Sequence, residues 1–232
     1  MMRLVGFLFI VGFGSILNAL ANHDPRHDAQ FICEIQERLN SIGYDAGPVD
    51  GKVGEKTRKA VGSFLSQIKQ HGKGYSPEQV VSFLRSYSER LDLSGNKLTD
   101  VPSLGRPANG RIYYQNNQNS IAPLEIKTAK QGFDYYIKIS EIDTNEPVKT
   151  IYLRSGSSVQ IKVPLGNFLL KYATGEKWFG EKCLFGLETL YNKADQNFEF
   201  KQIGNQISGY SVELIIQRDG NLSTQKISAD DW

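Results

Sequence analysis

"GYDAGPVDGKVGEKTRKAV", residues 43–61, places four glycines and two aspartates in a short turn that runs straight into a cationic segment. That composition suggests a phosphate cradle or a calcium cage. A phosphate loop requires G-x-x-x-x-G-K-[ST]. Here the glycines are closer together, and Val53 stands where the magnesium-binding hydroxyl belongs. An EF-hand loop requires oxygen ligands at its first, third and fifth positions and glycine at its sixth. Counted from Asp45, the third and fifth residues are Gly47 and Val49, and the glycine arrives one place late. Both chemical readings fail on spacing.

What remains is a device for shaping the chain. Gly43 suits a left-handed cap on a preceding helix. Gly47-Pro48 and Asp50-Gly51 suit consecutive turns in which the Asp50 carboxylate accepts bonds from nearby backbone N–H groups. Gly54 then admits a second helix, with Glu55 near its positive end. The flanks agree: Ile35, Leu39 and Ile42 form one helical stripe, and Val61, Phe64, Leu65 and Ile68 form another. A third helix is predicted from "SPEQVVSFLRSYSERL", residues 76–91. Ser76 is its N-cap, Pro77 its first residue and Gln79 the partner in a capping box. Val80, Leu84, Tyr87 and Leu91 keep to one face of it.

Residues 35–64, "IQERLNSIGYDAGPVDGKVGEKTRKAVGSF", resemble the peptidoglycan-binding-like repeat of cell-wall hydrolases and other envelope proteins. The family pattern is Gln and Leu on the first helix, then G-Y, G-x-x-D-G-x-x-G, T-R-x-A-V and F-Q. The matching residues are Gln36, Leu39, Gly43, Tyr44, Gly47, Asp50, Gly51, Gly54, Thr57, Arg58, Ala60, Val61 and Phe64. Leu65 replaces the usual Gln after Phe64. The resemblance implies a small three-helix module over residues 31–91 that binds peptidoglycan or sits beside a domain acting there; some members contact proteins instead. The residues that would meet the wall are Tyr44, Asp50, Lys52, Arg58 and Lys59. Asp50, Gly51 and Gly54 also have a purely structural reading as turn formers, and Tyr44, Lys52, Arg58 and Lys59 have one as ordinary surface.

From Arg111 onward the period changes to two. "FDYYIKISE", "KTIYLR", "SVQIKVP", "NFLLKYATG", "NFEFKQ" and "YSVELIIQ" are strand-like and are separated by "TNEP", "RSGSS", "PLGN" and "RDGN". Asp219-Gly220 is a hairpin signal. Six to nine strands at this spacing favour an antiparallel β-sandwich over residues 111–232. The fold class is therefore α+β in two domains, a three-helix bundle and a sandwich, joined by a linker at 92–110. That linker contains "LDLSGNKLTDVPSL", residues 91–104, which matches one leucine-rich-repeat unit. A single copy cannot bury its apolar face, so it predicts no solenoid.

"MMRLVGFLFIVGFGSILNALA" has the charged start, apolar run and Ala19-x-Ala21 ending of a secretory signal peptide, residues 1–21. The run is short and glycine-broken for a membrane span, an uncleaved anchor being the alternative. Residues 22–30 form a polar leader. The expected location is periplasmic or extracellular, with no stable span after cleavage. Lys and Arg number 27 against 25 Asp and Glu, a balance that gives no argument for nucleic acid. Cys33 and Cys183 can form a disulfide in an oxidising compartment, although sequence does not show whether they meet.

The second unusual segment is "YATGEKWFGEKCLFGLETLY", residues 172–191, where aromatics and glycines alternate without strand period. Tyr172, Trp178 and Phe179 read either as an aromatic platform for a ligand of the β domain or as a loop folded over the sandwich with Trp178 as its plug. No catalytic set emerges. His23 and His27 sit in the polar leader, His71 in a Gly/Lys-rich turn, and Glu141, Asp143 and Glu188 are carboxylates of a kind any chain this long offers. No metal and no cofactor is expected. The sequence points to an exported, non-enzymatic protein with peptidoglycan or envelope proteins as partners. The alternatives are a wall hydrolase or transferase with its active site in the β domain, and an envelope assembly protein with purely protein partners.

Overall fold

The computed structural model describes residues 25–70, 75–94, 98–214, 223–229 and 231–232. The expected signal peptide, His23, His71 and the Asp219-Gly220 turn lie outside these residues. The chain divides into two compact units, one ending at Pro102 and the other spanning Ser103–Trp232.

The first unit consists of helices α1 (Pro25–Ser41), α2 (Glu55–Gln67) and α3 (Pro77–Leu93). Helix α1 takes in much of the expected polar leader, because Pro25 suits a first helical position. Helix α3 starts as the sequence predicts: Gln79 N donates to Ser76 Oγ, and Ser76 N to Gln79 Oε1. The apolar stripes meet in one core built around Leu39, Phe64 and Leu84, all fully buried. Tyr44 and Tyr87 pack edge-on against Phe64, at ring-centroid distances of 6.1 and 5.5 Å.

The second unit has twelve strands among the described residues. These are β1 (Arg111–Gln115), β2 (Ala122–Thr128), β3 (Asp134–Glu141), β4 (Pro147–Leu153), β5 (Ser158–Val163), β6 (Gly166–Gly175), β7 (Leu190–Ala194), β8 (Phe198–Phe200), β9 (Gln202–Ile203), β10 (Gln206–Ile207), β11 (Tyr210–Leu214) and β12 (Thr224–Lys226). Strands of two or three residues are too short for a period to register, so the sequence count falls short. A seven-stranded sheet runs β1-β4-β3-β6-β7-β12, with β8 also on β6. A three-stranded sheet runs β11-β2-β5, and β9 pairs only with β10. The turns "RSGSS" and "PLGN" carry the chain from the large sheet into β5 and back, so they join sheets rather than close hairpins.

The two larger sheets share one core. Leu124, Ile126, Val163 and Val212 of the small sheet meet Ile137, Ile151, Phe168 and Leu170 of the large one. Every ladder is antiparallel except β11–β2, whose five residue pairs are parallel. Strands β2 and β5 keep the expected alternation of buried and exposed residues. Strand β3 does not, because both its faces are covered and Asp134 to Ser140 are all buried.

The expected linker is not a free tether. Thr99 N donates to Ser41 O at 2.7 Å. Further along, Arg106 forms a two-pronged pair with buried Asp134, at 2.7 and 2.5 Å. Asp134 also accepts from Tyr152 Oη and from Ser155 N. Burial works to raise its pKa, but these donors prevail and hold it below the ordinary value.

Glu34 on α1 ties two helices together. It accepts from Arg38 Nε at 2.6 Å and from Arg85 Nε and Nη2 of α3, both at 2.7 Å. Burial raises its pKa, yet the bonds from Arg85 and Arg38 outweigh that, and the net shift is downward. A depressed carboxylate pKa contributes stability that is complete above the unfolded value and is lost as pH falls through the folded value. Arg85 is about half exposed, so solvent screening keeps the contribution small. We predict that Glu34→Gln costs about 1–2 kcal/mol at neutral pH. Its melting temperature should also fall less steeply than that of the parent between about pH 5 and pH 3; parallel profiles in thermal unfolding would contradict this.

Candidate functional site

The loop between α1 and α2 is held from one side by α1. Gln36 is 1% exposed. Its Oε1 accepts from the backbone N–H groups of Asp50 and Gly51, both at 3.0 Å. Its Nε2 donates to Asp50 Oδ1 at 3.0 Å, to Lys52 O at 2.9 Å and to Thr57 Oγ1 at 3.3 Å. One turn further on, Asn40 Nδ2 donates to Gly47 O at 2.8 Å, and Asn40 Oδ1 accepts from Ala46 N at 2.9 Å. Thr57, at the start of α2, closes the loop by donating to Ala46 O at 2.9 Å. Two amides one helical turn apart therefore set both turns.

The glycines behave as the loop reading requires. Gly43, Gly47 and Gly51 have φ of 92°, 82° and 69°. At Gly51 a Cβ would also lie 3.1 Å from Cys33 Sγ and 3.2 Å from Ala29 O, so a side chain there meets both strain and crowding.

Asp50 is a scaffold residue in this geometry. Its Oδ1 takes the Gln36 amide and the Lys52 N–H, the second at 2.9 Å. Asp45 pairs with Lys56 at 2.8 Å on the exposed side of the loop. The bond from Lys56, helped by Gly47 N–H, lowers the Asp45 pKa. Tyr44 is half-buried against Phe64 and donates its hydroxyl proton to Gln67 Oε1, while Gln67 Nε2 donates to Tyr87 Oη. Lys52 and Lys59 are exposed and Arg58 is half-buried. Among the described residues no hydrogen bond or ion pair occupies the charged ends of these three side chains. The expected wall-facing set thus separates into two structural members, Tyr44 and Asp50, and three available cations.

The family comparison falls on the same residues. Residues 28–64 match the family model described as "Putative peptidoglycan binding domain". The helical unit carries a peptidoglycan-binding-like module. The match ends at Phe64, so α3 and the whole β unit lie beyond it. No curated protein and no solved structure matches the chain.

In the β unit, Tyr172, Trp178 and Phe179 do not form one surface. Trp178 is 2% exposed, ringed by Tyr136, Tyr152, Tyr113 and Phe185 at centroid distances of 5.4, 5.0, 5.7 and 5.3 Å. Phe179 is buried as well. Tyr172 lies half-buried against the core between the two sheets, where Tyr135 packs on it. The expected non-strand segment also shrinks, since β6 continues to Gly175 and β7 starts at Leu190. Gly175 is needed for close approach: a Cβ there would lie 2.3 Å from that of Phe185. Leu104 N donates to Trp178 O at 2.8 Å, which fastens the loop to residues before β1.

Among the described residues, no group of three or more His, Cys, Asp and Glu side chains is placed to hold a metal ion, and no helix is long and apolar enough to cross a membrane. Sequence reading quoted Gln36 and Thr57 only as pattern positions and passed over Asn40. The available signal was two amides at i and i+4 beside the apolar stripe of Ile35 and Leu39.

Removing the Gln36 amide leaves two backbone N–H groups without their acceptor. Gln36→Ala should therefore lower stability by about 2–3 kcal/mol in chemical unfolding. It should also speed hydrogen exchange at the Asp50 and Gly51 amides, and wild-type exchange there would show that the amide does not set the loop.

Proposed function

We propose that this is an exported, non-enzymatic envelope protein that binds peptidoglycan through its helical module and a second ligand, glycan or protein, through its β unit. The observation that carries the reading is the coincidence of the family match with a loop whose internal polar groups are satisfied by α1 while Lys52, Arg58 and Lys59 stay available. Rigid turns flanked by uncommitted cations suit contact with the carboxylates of wall peptides, because less conformational freedom is lost on binding. The same match supports a cell-wall location, periplasmic or extracellular, and the signal-like residues 1–21 would supply the route. Cleavage after Ala21 would release the mature chain.

Purified sacculi should retain the mature protein, and residues 22–92 alone should suffice. Reversing Lys52, Arg58 and Lys59 together to Glu should reduce retention about tenfold or more, as expected for removing roughly 1.4 kcal/mol or more of binding, without shifting the unfolding temperature. No retention of the parent fragment would refute wall binding by the module.

We also propose that Cys33 and Cys183, both buried, are joined by a disulfide in the oxidising compartment. Its reduction should cost about 2–4 kcal/mol. Peptide mapping under non-reducing conditions should recover one cross-linked pair, and two separately alkylated peptides would exclude the bond.

A further inference from the structure

Cross-strand registers place one residue from each of five strands in a single row on the outer face of the large sheet. The row reads Thr150, Lys138, Lys171, Lys193, Gln225 across β4, β3, β6, β7 and β12. Three lysines therefore stand side by side. Like charges directly opposite one another destabilise a sheet, and burial in this row raises the cost. Lys138 is 7% exposed and Lys171 5%.

The surroundings of the three ammonium groups differ. Lys138 Nζ lies 4.9 Å from the centroid of the Trp232 ring. Lys171 Nζ donates to Asn145 Oδ1 at 3.0 Å and to the main-chain oxygen of Asp231 at 2.5 Å. The Asp231 carboxylate already accepts from Ser228 Oγ at 2.7 Å. Lys193 is half-buried, and among the described residues its ammonium group has no hydrogen bond or ion pair. Burial lowers the Lys171 pKa, and the charge of Lys193 lowers it further against the opposing pull of Asp231. The aromatic cluster around Trp178 covers a different part of the same face. Beside the lysines the surface is concave, forming a pocket of about 500 Å³ whose lining includes Asn145, Lys171, Lys193, Gln225, Ser228 and Asp231.

A concave site with two neighbouring ammonium groups, one engaged carboxylate and two side-chain amides matches the chemistry of an anion bearing a polar body. We propose that this pocket binds a small organic oxyanion, its charged group between Lys171 and Lys193 and its polar body against Asn145 and Gln225. The volume suits a ligand of dipeptide size. The oxyanion is a carboxylate or a phosphate, which share this chemistry. This site deepens the reading of the β unit as the part that takes a second ligand and rests on that reading, but it requires no wall binding by the helical module.

The test is an amide-shift titration of the isotope-labelled mature protein without sacculi, so failure of the sacculus assay and failure here are separate results. The probes are the dipeptide Ala-Glu, the same dipeptide amidated at both carboxyls, and inorganic phosphate. Ala-Glu should give saturable shifts at Lys193 and Gln225, and the diamide should bind at least tenfold more weakly. Lys193→Gln should weaken binding at least tenfold while leaving the ligand-free melting temperature unchanged or raised, because it removes a like charge. Gln225→Ala should weaken binding a few-fold, and Lys127→Gln, on the other sheet, should not change it. Saturation by phosphate, alone or alongside Ala-Glu, supports the oxyanion site and names phosphate as a source. No saturable response to Ala-Glu or phosphate up to about 10 mM, beyond even weak millimolar affinity, overturns the proposal. Undiminished binding by both Lys193→Gln and Gln225→Ala overturns it equally.

Discussion

The Gln36 side chain spends both ends of its amide on a loop that begins seven residues after it in sequence. Its oxygen collects the N–H groups of Asp50 and Gly51, and its nitrogen reaches the Asp50 carboxylate, the Lys52 carbonyl and Thr57. A buried amide is tolerated only where its donors and acceptors are matched, so the loop and the helix specify each other. Cap the helix at Gly43, fix the turns at Gly47 and Gly51, and α2 has one place to start. The core of Leu39, Phe64 and Leu84 then forms across a spacing that this amide has set.

The β unit meets a different constraint. Its large sheet is covered on both faces, by the small sheet on one and by the Trp178 loop on part of the other. A strand buried on both sides must place something on each, and β3 alternates Tyr135, Ile137 and Ile139 with Tyr136, Lys138 and Ser140. The inner set is apolar and makes the sandwich core. The outer set changes from aromatic to cationic along the strand, and at the cationic end Lys138 stays buried with its ammonium over the Trp232 ring. Asp134 stands at the aromatic end, where Arg106, Tyr152 and Ser155 surround its carboxylate.

The helical unit was legible because its signals are local. Caps, glycine positions and a 3.6-residue stripe each involve neighbours in sequence, and the capping box of Ser76 and Gln79 is set by four residues. The loop was legible as shape rather than chemistry for the same reason. The β unit was legible as strands but not as an arrangement. Period two says that a residue faces one side or the other, not which side is covered, so nothing in the strand pattern signals that Lys138 and Lys171 are buried. Arg106 and Asp134 are 28 positions apart, and no window joins them. Trp178 announced itself by composition, yet its role depends on tyrosines from three other strands that only the fold brings near.

The parallel pairing of β11 with β2 has a consequence for the order in which the sandwich can be assembled. The bonded partners Ser211 and Glu125 are 86 positions apart, whereas β2 meets its other neighbour, β5, within the same half of the unit. Until the chain has been made as far as Leu214, β2 presents a bare edge of backbone N–H and C=O groups, and such an edge is a template for any passing strand. Late closure of so distant a contact is slow, since the loop entropy must be paid before the contact rewards it. Completion of the small sheet thus waits until β11 has been made, and a chain cut before β11 would lose Val212 and Leu214 from the shared core while exposing an adhesive seam.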